Sequence, residues 1–234
     1  MGNYFDSIAK EFSAKYLLKE SFIERKNIFL RECKSILNGI VKENVKCLDL
    51  GCGPGVLSIE LSRNGCEVVG IDQSTEMIGI ANRLKAENSC LQENHCMFIC
   101  DDAYNYLCRE KEKYDVIVIS SVLEYMKYPE NIIDKVSCII NENGFVLVSV
   151  PNCRSVFRWI EPMVQYILPN NMKYIEQWGN KYSSGAYEDL FYKNGFSLIN
   201  GIYLGMPNMF YKVLKNTNKN YVGTMKLLIF KKTS

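Results

Sequence analysis

The stretch that decides the fold is Asp49-Leu50-Gly51-Cys52-Gly53-Pro54-Gly55. It begins at the end of a short apolar run, Lys46 to Leu50, and leads into a segment of helical character that begins near Val56. Glycines at alternate positions let the backbone turn tightly and let a ligand approach without meeting a Cβ atom. The free N–H groups at the start of the following helix then face that ligand. The stretch therefore predicts a strand, a ligand-binding glycine loop and a helix.

Further apolar runs follow the loop, and helical segments separate most of them. The runs are rich in Val and Ile and largely apolar on both faces, which is typical of parallel strands covered by helices on both sides. This alternation favours a doubly wound, mostly parallel α/β sheet. The last two runs have no helical segment between them, so we expect an antiparallel final strand. The runs are 67–71, 96–100, 114–120, 145–150, 196–204 and 224–231, and Pro129 and Gly144 bound a helix predicted over 129–143.

We predict one domain with four parts over the 234 residues. Residues 1–42 carry apolar side chains three and four apart, which predicts helices. Residues 43–151 hold the alternating strands and helices. Residues 152–182 contain both tryptophans and no strand signal, and residues 183–234 contain a helix followed by the antiparallel strands.

Composition excludes several classes of protein. The net charge of +2 gives no electrostatic reason to expect a nucleic-acid partner. No apolar run is long enough to span a membrane. The ten cysteines include no C-x-x-C pair and there is one histidine, His95, so we expect no metal site. We predict a reduced, cytoplasmic setting from this cysteine usage, and a surface position for His95.

Asp72 is the second signal, because it ends the next apolar run 21 residues after Gly51. A carboxylate there can accept hydrogen bonds from the ribose of any adenosine-containing ligand. Asp49, just before the loop, suits an ammonium group better than a pyrophosphate. A dinucleotide fingerprint would place its third glycine at position 56, which is Val56. An NAD(P)-binding oxidoreductase and a cofactor-binding module without catalysis nevertheless stay as alternatives.

Four runs in order, LDLGCGPG, VVGIDQSTEMI, FICDDA and YDVIVISSVLEYM, resemble the class I S-adenosylmethionine-dependent methyltransferases over residues 4–150. The nearest branch resembles small-molecule enzymes such as quinone-biosynthesis and tetrapyrrole methyltransferases. The resemblance implies a Rossmann-like, seven-stranded fold with a lid of N-terminal helices. It also implies that S-adenosylmethionine donates a methyl group to an oxygen or nitrogen atom of a small molecule. A methyltransferase acting on RNA or protein is an alternative, although position 120 onward lacks the Asn/Asp-Pro-Pro-Tyr motif of enzymes that methylate planar amines.

The resemblance further implies roles for individual residues. The methionine end of the cofactor is expected to meet the glycine loop, the end of the fourth run and the lid, at Asp49, Gly51, Cys52, Gly53, Ser120, Tyr4, Tyr16 and Arg25. The adenosine end is expected to meet the ends of the second and third runs, at Asp72, Gln73, Met77, Asp102 and Ala103. Of the adjacent Asp101 and Asp102, we expect only Asp102 to face the ligand.

The acceptor side departs from the family pattern. Many relatives carry a histidine after Val-Leu-Glu, where this chain has Tyr125. The base could be Tyr125 or Glu124, or the reaction could need none; we favour Tyr125 as an orienting hydrogen-bond partner. Residues 152–182 lie where this family often builds its acceptor pocket, which predicts a partly apolar or aromatic acceptor. Their large apolar side chains are Phe157, Trp159, Met163, Tyr166, Met172, Tyr174 and Trp178. A dimer or membrane-surface contact is the competing interpretation, and we expect a monomer or homodimer.

Overall fold

The computed structural model describes residues 2–42, 44–88, 95–159, 175–205 and 218–233. Two helices come first, α1 (Gly2–Leu18) and α2 (Glu20–Leu37). The alternating core follows as β1 (Lys46–Leu50), α3 (Val56–Arg63), β2 (Glu67–Asp72), α4 (Thr75–Ala86), β3 (Cys96–Cys100), α5 (Ala103–Arg109), β4 (Tyr114–Ser120), a 3-10 turn (Leu123–Tyr125), α6 (Pro129–Ile139) and β5 (Ile140–Pro151). The rest comprises a 3-10 turn (Ile175–Gln177), α7 (Ser184–Lys193), β6 (Phe196–Leu204), α8 (Lys219–Val222) and β7 (Met225–Lys232).

All seven strands form one sheet in the order β3-β2-β1-β4-β5-β7-β6. Strands β1 to β5 pair in parallel, whereas β7 pairs antiparallel with both β5 and β6. Six strands therefore share one direction and β7 runs against them. This confirms the prediction of a doubly wound, mostly parallel, seven-stranded sheet with an antiparallel final strand.

The helix predicted over 129–143 is too long, because α6 ends at Ile139. Ile140 is already extended and pairs with Tyr114 of β4. Asn143 then adopts a left-handed conformation with φ 61°, which a helix cannot contain. A Cβ atom on Gly144 would lie 2.8 Å from Cγ1 of Ile140, so this glycine belongs to a tight turn inside β5 rather than to a helix end.

The core lies on both faces of the sheet. In β4, Ile117 and Ile119 pack towards α5, α6 and α7, while Val116 and Val118 pack towards α2 and α3. Burial on both faces explains why these strands read as continuous apolar runs. Among the described helices, none combines the length and the apolar character needed to cross a membrane. Helix α1 packs on α4 through Ala9, which brings the N-terminal helices to the carboxyl ends of the central strands.

Candidate active site

A cavity of about 1010 Å³ lies between the carboxyl ends of β1, β2 and β4 and the first two helices. Ligands of open α/β sheets bind at this edge, where the loops after neighbouring parallel strands meet. The structure brings the residues expected to bind the cofactor, together with Tyr125, to this one cavity. They are Tyr4, Tyr16, Arg25, Asp49, Gly51, Cys52, Gly53, Asp72, Gln73, Met77, Asp102, Ala103, Ser120 and Tyr125.

The glycine loop owes its shape to left-handed backbone. The N–H groups of Gly51 and Cys52 both donate to the carbonyl of Ile71, at 2.7 and 2.9 Å, which anchors the loop to β2. Gly51 has φ 71°, and a Cβ atom there would lie 2.2 Å from Cγ2 of Val122. Gly53 has φ 54°, and a Cβ atom there would meet only the Phe12 ring, at 3.9 Å. The glycine loop therefore packs at Gly51 against Val122, just after β4. At Gly53 the backbone of the loop is open to the cavity.

Asp72 uses both carboxylate oxygens to fix this geometry. Oδ2 accepts from the N–H of Gly53 at 2.9 Å, and Oδ1 accepts from the N–H of Ser74 at 2.9 Å. Burial raises the pKa of Asp72, and these two hydrogen bonds oppose the increase. A carboxylate oxygen can accept more than one hydrogen bond, so the group keeps acceptor capacity for ligand hydroxyls.

Asp49 is the most deeply buried charge-bearing group in the loop region, with 1% of its surface exposed. Its Oδ2 accepts from the hydroxyl of Ser58 at 2.6 Å, while Oδ1 has no hydrogen-bond partner. Burial raises the pKa of this carboxyl to about 7. A cationic group next to Oδ1 would favour the ionised form and supply the missing partner.

Arg25 lines the cavity from α2, on the side away from the sheet. Its guanidinium donates to Oγ of Ser121 at 3.0 Å and to the hydroxyl of Tyr16 at 3.4 Å, and it lies 5.2 Å from the centre of the Phe22 ring. Ser121 holds a left-handed backbone with φ 57° directly after β4. Sequence analysis missed Ser121, because neither its backbone conformation nor its contact with a residue 96 positions away leaves a local pattern.

The end of the cavity that is expected to hold adenosine is formed by the starts of the helices after β2 and β3. Met77 is buried against α1, and its N–H donates to Oγ of Ser74 at 3.1 Å. Asp102 caps α5 by accepting from the N–H of Asn105 at 3.0 Å. Asp101 forms an ion pair with Arg109, yet it also lines the cavity. Both neighbours thus line the cavity, and the expectation that only Asp102 faces the ligand stays a prediction.

The N-terminal helices contact the site at both ends of the cavity. Oδ1 of Asp6 accepts from the hydroxyl of Ser74 at 2.5 Å and from the N–H of Glu76 at 3.2 Å. The ring of Phe5 packs edge-on against Tyr125, with 5.2 Å between ring centres. Residues 2–37 thus cover the cavity as a lid in this structure.

The remaining wall is formed by the turn Leu123–Tyr125 and by residues after β5. Glu124 is buried, with 3% of its surface exposed, and Arg158 and Trp178 line the cavity beside it. Trp159 is 74% exposed and does not line the cavity. Phe157 is buried away from the cavity. The predictions for Met163, Tyr166, Met172 and Tyr174 fall outside the described residues. His95 does not line the cavity either; its carbonyl accepts from the N–H of Val68 at 2.9 Å.

The charges around the cavity fit S-adenosylmethionine. Asp49 offers an unpaired carboxylate oxygen to a cation, and Arg25 offers a cation to a carboxylate. Asp72 offers acceptors to sugar hydroxyls, and Met77 offers an apolar surface to a flat base. A ligand that carries an ammonium group, a carboxylate, a ribose and an adenine matches this distribution. The assignment of each residue to one part of the cofactor stays a prediction.

Comparison with known proteins identifies the family. A family described as methyltransferase domain matches residues 14–200. The ubiquinone biosynthesis O-methyltransferase of Pelagibacter ubique is 27% identical over 184 residues, covering 77% of this chain and 74% of the relative. A protein of the same description from Actinobacillus pleuropneumoniae is 34% identical over 107 residues, and there the match spans 46% of each chain. The chain therefore matches about half the length of the latter relative.

Solved structures share the fold. The magnesium protoporphyrin IX methyltransferase of Synechocystis, crystallised with S-adenosylhomocysteine, superposes with a TM-score of 0.71 at 18% identity and covers 99% of this chain and 97% of its own. An N-methyltransferase of Bradyrhizobium japonicum superposes with a TM-score of 0.65 at 16% identity, covering 94% and 91%.

These findings confirm the predicted reaction class and cofactor, and they do not favour the oxidoreductase alternative. The chain is a methyltransferase, and S-adenosylmethionine is the cofactor of its family. The family match covers 187 of the 234 residues, and the fold agrees over nearly the whole chain. The protein belongs to the methyltransferase domain family, within the class I S-adenosylmethionine-dependent methyltransferases.

Proposed function

We propose that the protein transfers the methyl group of S-adenosylmethionine to an oxygen atom of a small, partly apolar or aromatic acceptor. The two curated relatives described above are O-methyltransferases by description, which supports oxygen over nitrogen. The observation that carries the proposal is a cavity of the described residues that has two chemically different ends. One end carries Asp49, Asp72 and Arg25; the other carries Tyr125, Arg158 and Trp178.

The cofactor, when bound, supplies a methyl group activated by attachment to a sulfonium. The protein's part is to hold the acceptor oxygen in line with that group. Orientation of this kind can lower a barrier by several kcal/mol, up to about 7 to 11 in the best intramolecular cases. Asp49 and Arg25 would hold the amino acid end, and Asp72 with Gln73 the ribose. Asp102, Ala103 and Met77 would hold the adenine, and the carbonyl of Ser120 and the backbone of the glycine loop, including Cys52, would complete the methionine end.

Tyr125 is proposed to orient the acceptor rather than to deprotonate it. It is half-buried at the cavity wall, and its ring packs on Phe5 of the lid. In this position the Tyr125 ring is held by Phe5 when the lid is closed, which would fix its hydroxyl where it can contact the acceptor. The acceptor pocket over 152–182, the cytoplasmic location and the monomeric or homodimeric state are further parts of this proposal.

Calorimetry on Asp72→Ala tests the cofactor end. We expect S-adenosylhomocysteine affinity to fall about 10- to 100-fold, because a hydrogen bond to a charged acceptor contributes about 1.5–3 kcal/mol. Asp134→Ala, an exposed carboxylate on α6, is the control and should bind like the unmodified protein. Tighter binding of NAD(P) than of S-adenosylhomocysteine, or full affinity in Asp72→Ala, would contradict the proposal. Release of S-adenosylhomocysteine with a library of hydroxylated acceptors then tests turnover.

A further inference from the structure

Two buried polar atoms at the acceptor end have no hydrogen-bond partner among the residues that the structure describes: Oε2 of Glu124 and Nε1 of Trp178. Both side chains line the large cavity, and both also line a smaller pocket of about 210 Å³ beside it. Leaving a buried donor or acceptor unpaired costs about 1–3 kcal/mol. An unpaired donor and an unpaired acceptor on the walls of one pocket therefore point to a ligand that satisfies both.

The backbone holds these two side chains in fixed positions. The carbonyl of Glu124 accepts from the N–H of Gly179 at 2.9 Å. A Cβ atom on Gly179 would lie 2.5 Å from the carbonyl oxygen of Tyr125, so glycine is what permits this approach. The side-chain amide of Asn180 donates to the carbonyls of Leu123 and Met126, at 2.7 Å each. Hydrogen bonds between residues 123–126 and residues 179–180 therefore fix the walls of the pocket.

The chemistry of the two atoms restricts what can bind between them. An indole N–H only donates, and an ionised carboxylate only accepts. A group that satisfies both must accept one hydrogen bond and donate another, as a hydroxyl does. The guanidinium carbon of Arg158 lies 5.0 Å from the centre of the Trp178 ring, and Tyr182 and Tyr187 add aromatic walls. Flat walls around a small volume suit a single ring.

We propose that this pocket binds a hydroxylated aromatic ring of the acceptor, that Glu124 receives the proton of the reacting hydroxyl, and that Trp178 positions the same oxygen. The inference rests on the proposed function and deepens it, because O-methylation of a hydroxyl requires a proton acceptor. The acceptor O–H bond breaks and its proton passes to Oε2 of Glu124. The oxygen's electron pair forms the new O–CH₃ bond, while sulfur keeps the electron pair of the broken S–CH₃ bond. Glu124 then returns its proton to solvent.

The surroundings of Glu124 set the pH at which it can act. Burial raises the pKa of its carboxyl to about 7, and the positive charges of Arg25 and Arg158 oppose the increase. Other titratable side chains of the described residues line the same cavities, namely Cys153, Lys181, Tyr182 and Tyr187 in the small pocket and Tyr125 and Lys127 in the large one. A base with this pKa is protonated and inactive at low pH, so kcat should rise as pH increases through about 7 and then level off.

Glu124→Gln, assayed with para-butylphenol and para-butylaniline as probes, tests the base. General base catalysis contributes about 10²- to 10⁴-fold, so we expect kcat for the phenol to fall by at least 100-fold and the rise near pH 7 to disappear. The aniline has a free lone pair, so its slower methylation should change less than tenfold. Glu124→Asp keeps a carboxylate and should keep the rise with pH.

Trp178→Phe tests the positioning donor. It removes Nε1–H but keeps an aromatic face for Arg158, and we expect kcat/KM for the phenol to fall about 3- to 10-fold, the effect of one neutral hydrogen bond.

Glu130→Gln is the matched control for Glu124→Gln, since Oε2 of Glu130 is also buried without a partner among the described residues but lines neither cavity. It should leave kcat unchanged.

The outcomes separate this inference from the proposed function. S-adenosylhomocysteine affinity, measured by calorimetry, should be the same in all these variants and in the unmodified protein. If affinity for that ligand is absent from the unmodified protein, the proposed function itself fails. If the ligand binds but neither ring probe binds or reacts, or if Glu124→Gln keeps both kcat and the pH profile, only the inference about the pocket is overturned.

Discussion

The two ends of the cavity are built by different means. The cofactor end is formed by the loops that follow neighbouring parallel strands. Gly51, directly after β1, therefore lies beside Asp72 at the end of β2. The acceptor end is formed by segments far apart in the chain, such as Glu124 and Gly179, which meet through their own hydrogen bonds. The cofactor end is a consequence of the parallel sheet. The acceptor end depends on how the segments after β4 and β5 pack in each individual enzyme. This difference explains how one fold can keep its cofactor while changing its acceptor.

Gly51→Ala should give the largest effect on the cofactor end. The new Cβ atom would lie 2.2 Å from Cγ2 of Val122 and the backbone has φ 71°, so steric overlap adds to conformational strain. We expect a loss of about 2–4 kcal/mol in the free energy of unfolding, measured by urea denaturation, and no detectable cofactor binding. Gly53→Ala is the control: its φ is also positive, but the nearest atom is 3.9 Å away. It should lose only about 1 kcal/mol. Equal losses in the two variants would show that steric overlap with Val122 does not matter.

Sequence alone predicts which residues meet at this edge of the sheet, because strand ends in a parallel sheet converge whatever the rest of the chain does. Asp49 lies one residue before the end of an apolar run, Asp72 and Asp102 follow the next two runs, and all three line the cavity. Their order along the chain was therefore enough to place them together.

Sequence alone cannot predict the contacts that tie distant segments to this frame. Arg25 reaches Ser121 across 96 positions, and the amide of Asn180 reaches Leu123 across 57. No periodicity records such pairs, and their geometry depends on packing. The end of α6 was misplaced for a related reason: the pairing of Ile140 with Tyr114 overrides the helical pattern that continues to Asn143.

Asp49→Asn should separate binding from stability, with an effect smaller than that of Gly51→Ala. The folded pKa of Asp49 is about 7, above the ordinary value for an aspartate. The folded state therefore binds its proton more tightly than the unfolded state, and the ionised form costs stability increasingly from about pH 4 to about pH 7. At about pH 8 the variant should be more stable than the unmodified protein by about 1–3 kcal/mol, and at about pH 4 no more stable. Its affinity for S-adenosylhomocysteine should fall about 10- to 100-fold.

Asp115→Asn is the matched control at the opposite end of the sheet. Burial alone would raise the pKa of Asp115. The hydrogen bonds from Lys42 Nζ, Lys46 N and Asn141 Nδ2 outweigh burial and hold this pKa below its ordinary value. Ionised Asp115 therefore stabilises the fold above its unfolded pKa, and this stability is lost as pH falls through the folded pKa. The substitution should lower stability at neutral pH without affecting the cofactor. If Asp49→Asn destabilised the protein in the same way, Asp49 would be a structural residue and not a group held ready for a cation.

Asp6→Ala should give the smallest effect, because it removes one contact between the lid and the cofactor end. Asp6 accepts from Ser74, whose N–H donates to Asp72, so the lid is linked to the proposed ribose site by two hydrogen bonds in series. We expect S-adenosylhomocysteine to dissociate about 3- to 10-fold faster, measured by stopped-flow fluorescence. The charge of Asp6 also helps to raise the pKa of Asp72, so the rates are compared at several pH values to separate the loss of the lid contact from the loss of this charge. Lys10→Ala, exposed on the same helix, should dissociate at the unmodified rate. An unchanged rate in Asp6→Ala would mean that apolar packing of Ala9 on α4 holds the lid, and that cofactor exchange is governed by the helix interface as a whole.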